Sequence, residues 1–264
     1  MGSPVHILAQ GDLMMGSRSV AALLACLPAF LGQGQRAADP RPGSKIWVGR
    51  YQEIEECLRT AECVSMEVLV PGHFARCTLR PGGPVARMAW KHLPPGVYRG
   101  FRESYKAEIA AYELDKLLKL DMVPPSVERQ LEGRRGAAQL WVEDVTNLAS
   151  DASPGAPDRA HWANQVVRMK MFDNLIGNPD RNQGNILHDA AWNLILLDHS
   201  RAFGEGTDFL HKLSRIDEDL WVEVEALTPG KLEAALGAWL DRSEIKAVLD
   251  RRDKMRAEVR SLPR

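Results

Sequence analysis

Residues 172–200, FDNLIGNPDRNQGNILHDAAWNLILLDHS, set Asp180, Asn185 and Asp198 around a strongly apolar run. Two carboxylates and an amide at this spacing suit three kinds of chemistry: a calcium loop, a polar hairpin, or a phosphoryl-transfer site. An EF-hand register puts Asn178, Asp180 and Asn182 at positions 1, 3 and 5, and Asp189 at position 12. The glycine that such a loop needs at position 6 is Gln183, and WNLILLD alternates like a buried strand where a second helix should stand. Calcium therefore fails on two independent counts. A polar hairpin accounts for Asp189 and Asn193, because Asn, Asp and Gly tolerate unusual backbone angles and bond their own main chain. It accounts poorly for Asp198, since a carboxylate ending a buried strand must be paired or bind a cation.

Phosphoryl transfer needs a carboxylate to orient the attacking hydroxyl and oxygen ligands for the metals that neutralise the phosphates. Asp180 precedes Asn185 by the interval of the kinase catalytic loop, Asp-x-x-x-x-Asn, and a hairpin then delivers Asp198 at a strand end. Asp180 is the expected catalytic carboxylate, and Asn185 and Asp198 the expected metal ligands. Hard oxygen donors of this kind favour Mg2+ or Mn2+. ATP also needs a cation for its phosphates. PVARMAWK supplies Lys91, with small Ala89 two residues earlier on the same strand face, and AEIAAYELD supplies Glu108 on a helix flank beside Tyr112. A strand lysine or a helix glutamate alone is ordinarily solvated. The order gives them weight: sheet, Lys, helix Glu, break, helix, Asp, Asn, hairpin, Asp. The phosphate-covering turn is the weakest part, because VPGHFAR offers Gly72 alone where a protein kinase has three glycines.

The elements that must position these residues read as two regions. A short helix and a strand in IWVGRYQEIEECLRTAECVSMEVL lead to strands in ARCTLRP and PVARMAWKHL, separated by turns, and PPGVYRG reads as a mobile loop. From Glu103 to Leu120 a helix is predicted, with Ala110, Leu114, Leu117 and Leu118 on one stripe and Tyr105, Ile109 and Tyr112 on another. A helix apolar on two sides is sandwiched between layers. Two further strands, SVERQL and GAAQLWVED, precede a Pro- and Ser-rich break at 149–158. Beyond it the chain is helical except for the polar hairpin, with Thr228 before Pro229 and Asp241 or Ser243 as N-caps. The fold class is α+β, divided into a leader and linker at 1–45, a sheet lobe with one central helix at 46–148 and a mainly helical lobe at 149–264.

Composition sets limits on partners. The chain has 264 residues, 26% of them charged, and a formal net charge of −1, which gives no electrostatic basis for nucleic-acid binding. The cysteines Cys26, Cys57, Cys63 and Cys77 form no C-x-x-C pair, so a structural zinc site is not expected. SRSVAALLACLPAFLGQGQRAADP has the order of a secretory signal peptide, although thirteen residues precede Met14 and no clean cleavage site follows. Its apolar run of about a dozen residues is too short for a stable transmembrane segment, which needs about 20. The balance favours an exported, periplasmic location over the cytoplasm, and export would permit a disulfide among Cys57, Cys63 and Cys77.

AEIAAYELDKLLKLDMVPPSVER, followed by FDNLIGNPDRNQGN and LLDHSRAFG, resembles the secretory-pathway kinases of the Fam20 and four-jointed type and their bacterial relatives. DRNQGN is also similar to the Asp-Arg-x-x-x-Asn loop of phosphatidylinositol kinases. The resemblance covers roughly residues 85–205. It implies a bilobal kinase-like fold, with Lys91 on the nucleotide phosphates, Asp180 catalytic, and Asn185 with Asp198 on metal. Glu108 either pairs with Lys91 or helps to hold the metal. His-Arg-Asp is replaced by Asn178-Pro179-Asp180 and Asp-Phe-Gly by Asp198-His199-Ser200. The expectation is an ATP- and metal-dependent kinase acting on a hydroxyl of a protein, sugar or lipid. A nucleotide-binding pseudokinase and a kinase-fold adenylyltransferase are the alternatives.

Overall fold

Every second residue of Phe74–Leu79 is buried, which covers one face of that strand, whereas Arg87–Lys91 buries three residues in a row and is covered on both. The computed structural model describes residues 45–153 and 155–262; the leader, Cys26 and the linker up to residue 44 lie outside the described residues. After α1 (Tyr51–Thr60) come β1 (Cys63–Val70), β2 (Phe74–Leu79) and β3 (Arg87–Lys91). They continue through β4 (Gly96–Tyr98), β5 (Phe101–Glu103), α2 (Tyr105–Leu117), β6 (Ser126–Leu131) and β7 (Arg134–Leu140). Five strands pair antiparallel in the order β1-β2-β3-β7-β6. On one face Cys77, Leu79, Met88, Val127, Ala138 and Leu140 pack with Ile54 and Leu58 of α1. On the other, Ala137 packs against Tyr105 and Ile109 of α2. The sheet lobe thus carries a second helix, α1, behind the sheet.

α2 starts at an N-cap, Ser104, whose hydroxyl accepts from the Lys106 amide. Its leucine stripe faces away from the sheet: Leu114 and Leu118 join Phe172, Leu175, Ile176 and Phe203 in the core of the second lobe. Burial of each such leucine contributes about 1.5–3 kcal/mol. The two-sided helix is therefore the layer between the lobes, although Tyr112, expected beside Tyr105 and Ile109, packs with Leu114 in the second-lobe core.

The second lobe holds α3 (Arg159–Ile176), α4 (Glu218–Glu225), α5 (Pro229–Leu236) and α6 (Arg242–Ser261). A small sheet, β10-β9-β8, is formed by β8 (Val145–Asn147), β9 (Ile186–Asp189) and β10 (Leu194–Leu196). Thr228 caps α5 with Pro229 in its first turn, and Asp241, not Ser243, caps α6 through a reciprocal box with Glu244. α3 ends at Gly177 in the left-handed region, where a Cβ would lie 2.9 Å from the Arg251 guanidinium. Only glycine fits that stop.

Two sequence expectations change. PPGVYRG, expected as a mobile loop, forms the β4–β5 hairpin, because Arg99 and Gly100 both take positive φ and make the tight turn without the usual Asn-Gly signal. Of the three candidate cysteines, Cys63 and Cys77 are joined across β1 and β2, and Cys57 is a buried free thiol. No helix among the described residues is long and apolar enough to cross a membrane.

Candidate active site

Between the sheet and the β9–β10 hairpin lies a cleft of about 690 Å³, lined by Ala89, Lys91, Glu108, Asn185 and Asp198 among others. β3 sets Ala89 and Lys91 two residues apart, so both project to the cleft face. Lys91 Nζ donates to Glu108 Oε1 at 2.6 Å and stands 3.5 Å from Asp198 Oδ1. Glu108 is fully buried. Of the two roles expected for it, the contact present is the pairing with Lys91. Burial opposes the ionised Glu108 carboxyl, but the Lys91 charge and the His199 contact outweigh it and hold the carboxyl well below the usual carboxylate range. Burial likewise opposes the charged Lys91, and Glu108 and Asp198 together raise its pKa.

Gly72 occupies the β1–β2 turn at φ 77°, with no atom within 4 Å of where a Cβ would stand. The turn's backbone angle demands this glycine, not a close neighbour. Val70 and His73, on either side of the Pro71-Gly72 pair, line the cleft.

The loop after α3 is organised by a buried arginine. Arg181, 2% exposed at its side chain, donates from Nε to Asp173 Oδ2 at 3.0 Å and from Nη1 to the carbonyls of Asn185 and Leu197. Its Nη2 meets His199 Nε2 at 2.8 Å. An arginine only donates, so His199 accepts at Nε2 and carries its proton on Nδ1, 3.8 Å from Glu108 Oε2. Burial, reinforced by the Arg181 charge, outweighs Glu108 and lowers the His199 pKa, which keeps the ring neutral. Asp173, fully buried, is held below its usual range because Arg181 and His211 outweigh its desolvation. A continuous polar line thus runs Lys91–Glu108–His199–Arg181–Asp173, from the sheet lobe to the Asp180–Asn185 loop.

Asp180 follows Asn178, whose side-chain oxygen accepts from the Asp180 amide at 3.2 Å. Its carboxylate is one-third exposed and pairs with Arg201 Nη1 at 3.1 Å. Asn185 donates from Nδ2 to the Asp180 carbonyl at 3.0 Å, which leaves its Oδ1 as the atom for a cation. Asp198 lies two residues beyond β10 at φ 55°, with 41% of its side chain exposed. The sequence placed this carboxylate at the end of a buried strand; the left-handed turn instead carries it out of the apolar layer to the cleft edge. Asp189 is a turn former, accepting from the amides of Ala191 and Asn193.

Among the described residues, no three His, Cys, Asp or Glu side chains converge as a self-sufficient metal cage. An amide oxygen and a carboxylate beside a cleft nevertheless fit a magnesium-type ion, which takes one or two protein oxygens and completes its shell with phosphates and water. Arg181, His199, Asp173, Arg201 and Glu103 were not singled out by sequence reasoning. The local signals were the second position of the Asp-Arg-x-x-x-Asn likeness, for Arg181, and the place of His199 directly after Asp198.

No protein-family model and no curated protein matches this chain. Solved structures share its fold. The Golgi casein kinase with Mn/ADP bound aligns at TM-score 0.59 and 15% identity, over 79% of this chain and 75% of that one. The structure of hydra Fam20 with sugar aligns at TM-score 0.60 and 14% identity, over 80% and 88%. The Helicobacter pylori proinflammatory kinase CtkA aligns at TM-score 0.52 and 12% identity, over 78% and 99%. The fold is the bilobal, Fam20-like atypical kinase fold.

Proposed function

We propose that this chain is an atypical ATP- and metal-dependent kinase that transfers the γ-phosphoryl group to a hydroxyl of a protein, sugar or lipid. The observation that carries the proposal is the Lys91–Glu108 pair, which faces Asp198 and Asn185 across one cleft. In this reading residues 46–148 and 149–264 act as the two lobes around the nucleotide. Lys91, held by Glu108, addresses the ATP phosphates, Ala89 leaves room beside them, and the Gly72 turn covers them. Asn185 and Asp198 hold Mg2+ or Mn2+, which neutralises charge on the phosphates. That a kinase of this fold carries Mn and ADP supports the choice of cofactors.

In the transfer step the acceptor oxygen bonds to the γ-phosphorus while the bond from that phosphorus to the β–γ bridging oxygen breaks. ADP leaves, and Asp180 orients the hydroxyl and receives its proton. The Cys63–Cys77 disulfide supports an exported, periplasmic location, since disulfides persist in oxidising compartments. The near-neutral charge gives no support to a nucleic-acid partner.

The test uses purified protein, Mg2+ or Mn2+, a mixed acceptor panel and ATP labelled at the γ or the α position. Transfer of γ label alone is expected. Transfer of α label identifies an adenylyltransferase, and transfer of neither identifies a nucleotide-binding pseudokinase.

A further inference from the structure

Asp180 does not stand alone. Arg201, three residues after Asp198, reaches its Oδ2 with Nη1 at 3.1 Å. The same guanidinium bonds Glu103 Oε1 through Nε at 2.9 Å and Nη2 at 2.8 Å, and lies 4.2 Å over the Phe101 ring. An exposed arginine paired with one carboxylate is commonly worth little. This one is 28% exposed at its side chain and restrained from three directions. The planar fork of arginine can serve two carboxylates at once, which the point charge of lysine does poorly.

The second carboxylate matters because of its place. Glu103 ends β5 and precedes Ser104, the N-cap of α2, whose amide donates to the Ser200 carbonyl at 2.9 Å. Glu108 sits in the first turn of that helix. The start of α2 is therefore stitched to the loop that carries Asp198 and Arg201. Among the described residues, the other Asp180 oxygen, Oδ1, meets a long contact from Asn182 Nδ2 at 3.3 Å.

On the kinase reading above, we propose that Arg201 is a positioning residue that anchors one oxygen of Asp180, presents the other to the acceptor hydroxyl, and ties that orientation to α2 through Glu103. The grip on the phosphates, through Glu108, and the aim of the catalytic carboxylate are then set by one helix. The acceptor is met by an oriented carboxylate, not by a free side chain.

The test is a double-mutant cycle with Arg201→Met and Asp180→Asn, together with Arg201→Lys. Arg201→Met is expected to lower kcat by ~10–10² through misplacement of the reacting group, with Mg–ADP affinity unchanged. In the Asp180→Asn background it should cost nothing further, because its effect passes through that carboxylate. Arg201→Lys should recover only part of the rate. A wild-type rate in Arg201→Met overturns the inference, as does an equal loss in both backgrounds, which is the mark of a merely structural arginine. If the wild-type chain transfers no label, the proposed function fails, and the inference is decided by thermal unfolding of the same four proteins. A coupling of about 1–3 °C in Tm sustains the pair; additive melting temperatures refute it.

Discussion

Glu108→Gln tests the centre of the site without deleting volume. Glu108 Oε1 accepts from Lys91, and Oε2 accepts from the His199 amide at 3.2 Å. A glutamine has one oxygen, so its amide nitrogen must face a donor on one side. Breaking a buried pair by removing one charge costs about 3–5 kcal/mol. Here Asp198, 3.5 Å from Lys91, retains part of the compensation, which points to the lower end, about 3 kcal/mol. For a chain of this size that is a fall of about 6–12 °C in Tm.

The pH dependence supplies the second half of the test. The folded pKa of Glu108 lies below its ordinary 4.5. Its stabilisation is therefore fully present above the ordinary value and is lost as pH falls toward the lowered one. The deficit of Glu108→Gln should be complete near pH 7 and narrow below about pH 4.5. Thermal unfolding of both proteins at about pH 7 and about pH 3.5 reads this directly. No deficit near neutrality, or the same deficit at both pH values, refutes the pairing as the source of stability.

Lys91→Ala should weaken ATP far more than adenosine, by about 10–100-fold if one charge-assisted phosphate contact is lost; calorimetric titration with both ligands checks it, and equal losses would make the lysine structural. Asp198→Ala should abolish metal-dependent nucleotide binding, measured with and without chelator, and keep the fold, because its side chain is 41% exposed and the Lys91–Glu108 pair survives. The Cys63–Cys77 bridge closes a short loop of sequence separation 14, so Cys63→Ser should cost about 3 kcal/mol. Reductant should lower the wild-type Tm as far as that substitution does, about 6–12 °C, and a Tm indifferent to reductant would remove the bridge.

The sequence revealed those parts of the site whose geometry is local. Asp180 and Asn185 lie within one turn-rich loop, and Asn185 bonds the Asp180 carbonyl five residues away. Spacing alone therefore carries their relation. Lys91 and Glu108 are 17 residues apart, on a strand and on the helix that crosses it, and the order of elements was enough to bring them together. The two-sided apolar pattern of α2 required a layer on each side, and both exist.

What could not be read is long-range or set by single backbone angles. Arg201 meets Glu103 across 98 positions, and no periodicity relates the two. Asp198 reaches the cleft edge because one residue takes a positive φ, which aspartate adopts too rarely to be assumed. Nothing in the DRNQGN motif tells where the Arg181 side chain goes, and it is among the most buried charges of the site. A cation placed there is tolerable only because Asp173, the Asn185 and Leu197 carbonyls and His199 meet its donors together. The residue that fixes the Asp180–Asn185 loop also grips the backbone just before Asp198 and, through His199, faces Glu108. Asn185, Asp198, Asp180 and Glu108 therefore share one buried support, so loss of Arg181 should disorder all four together, unlike any change at the cleft surface.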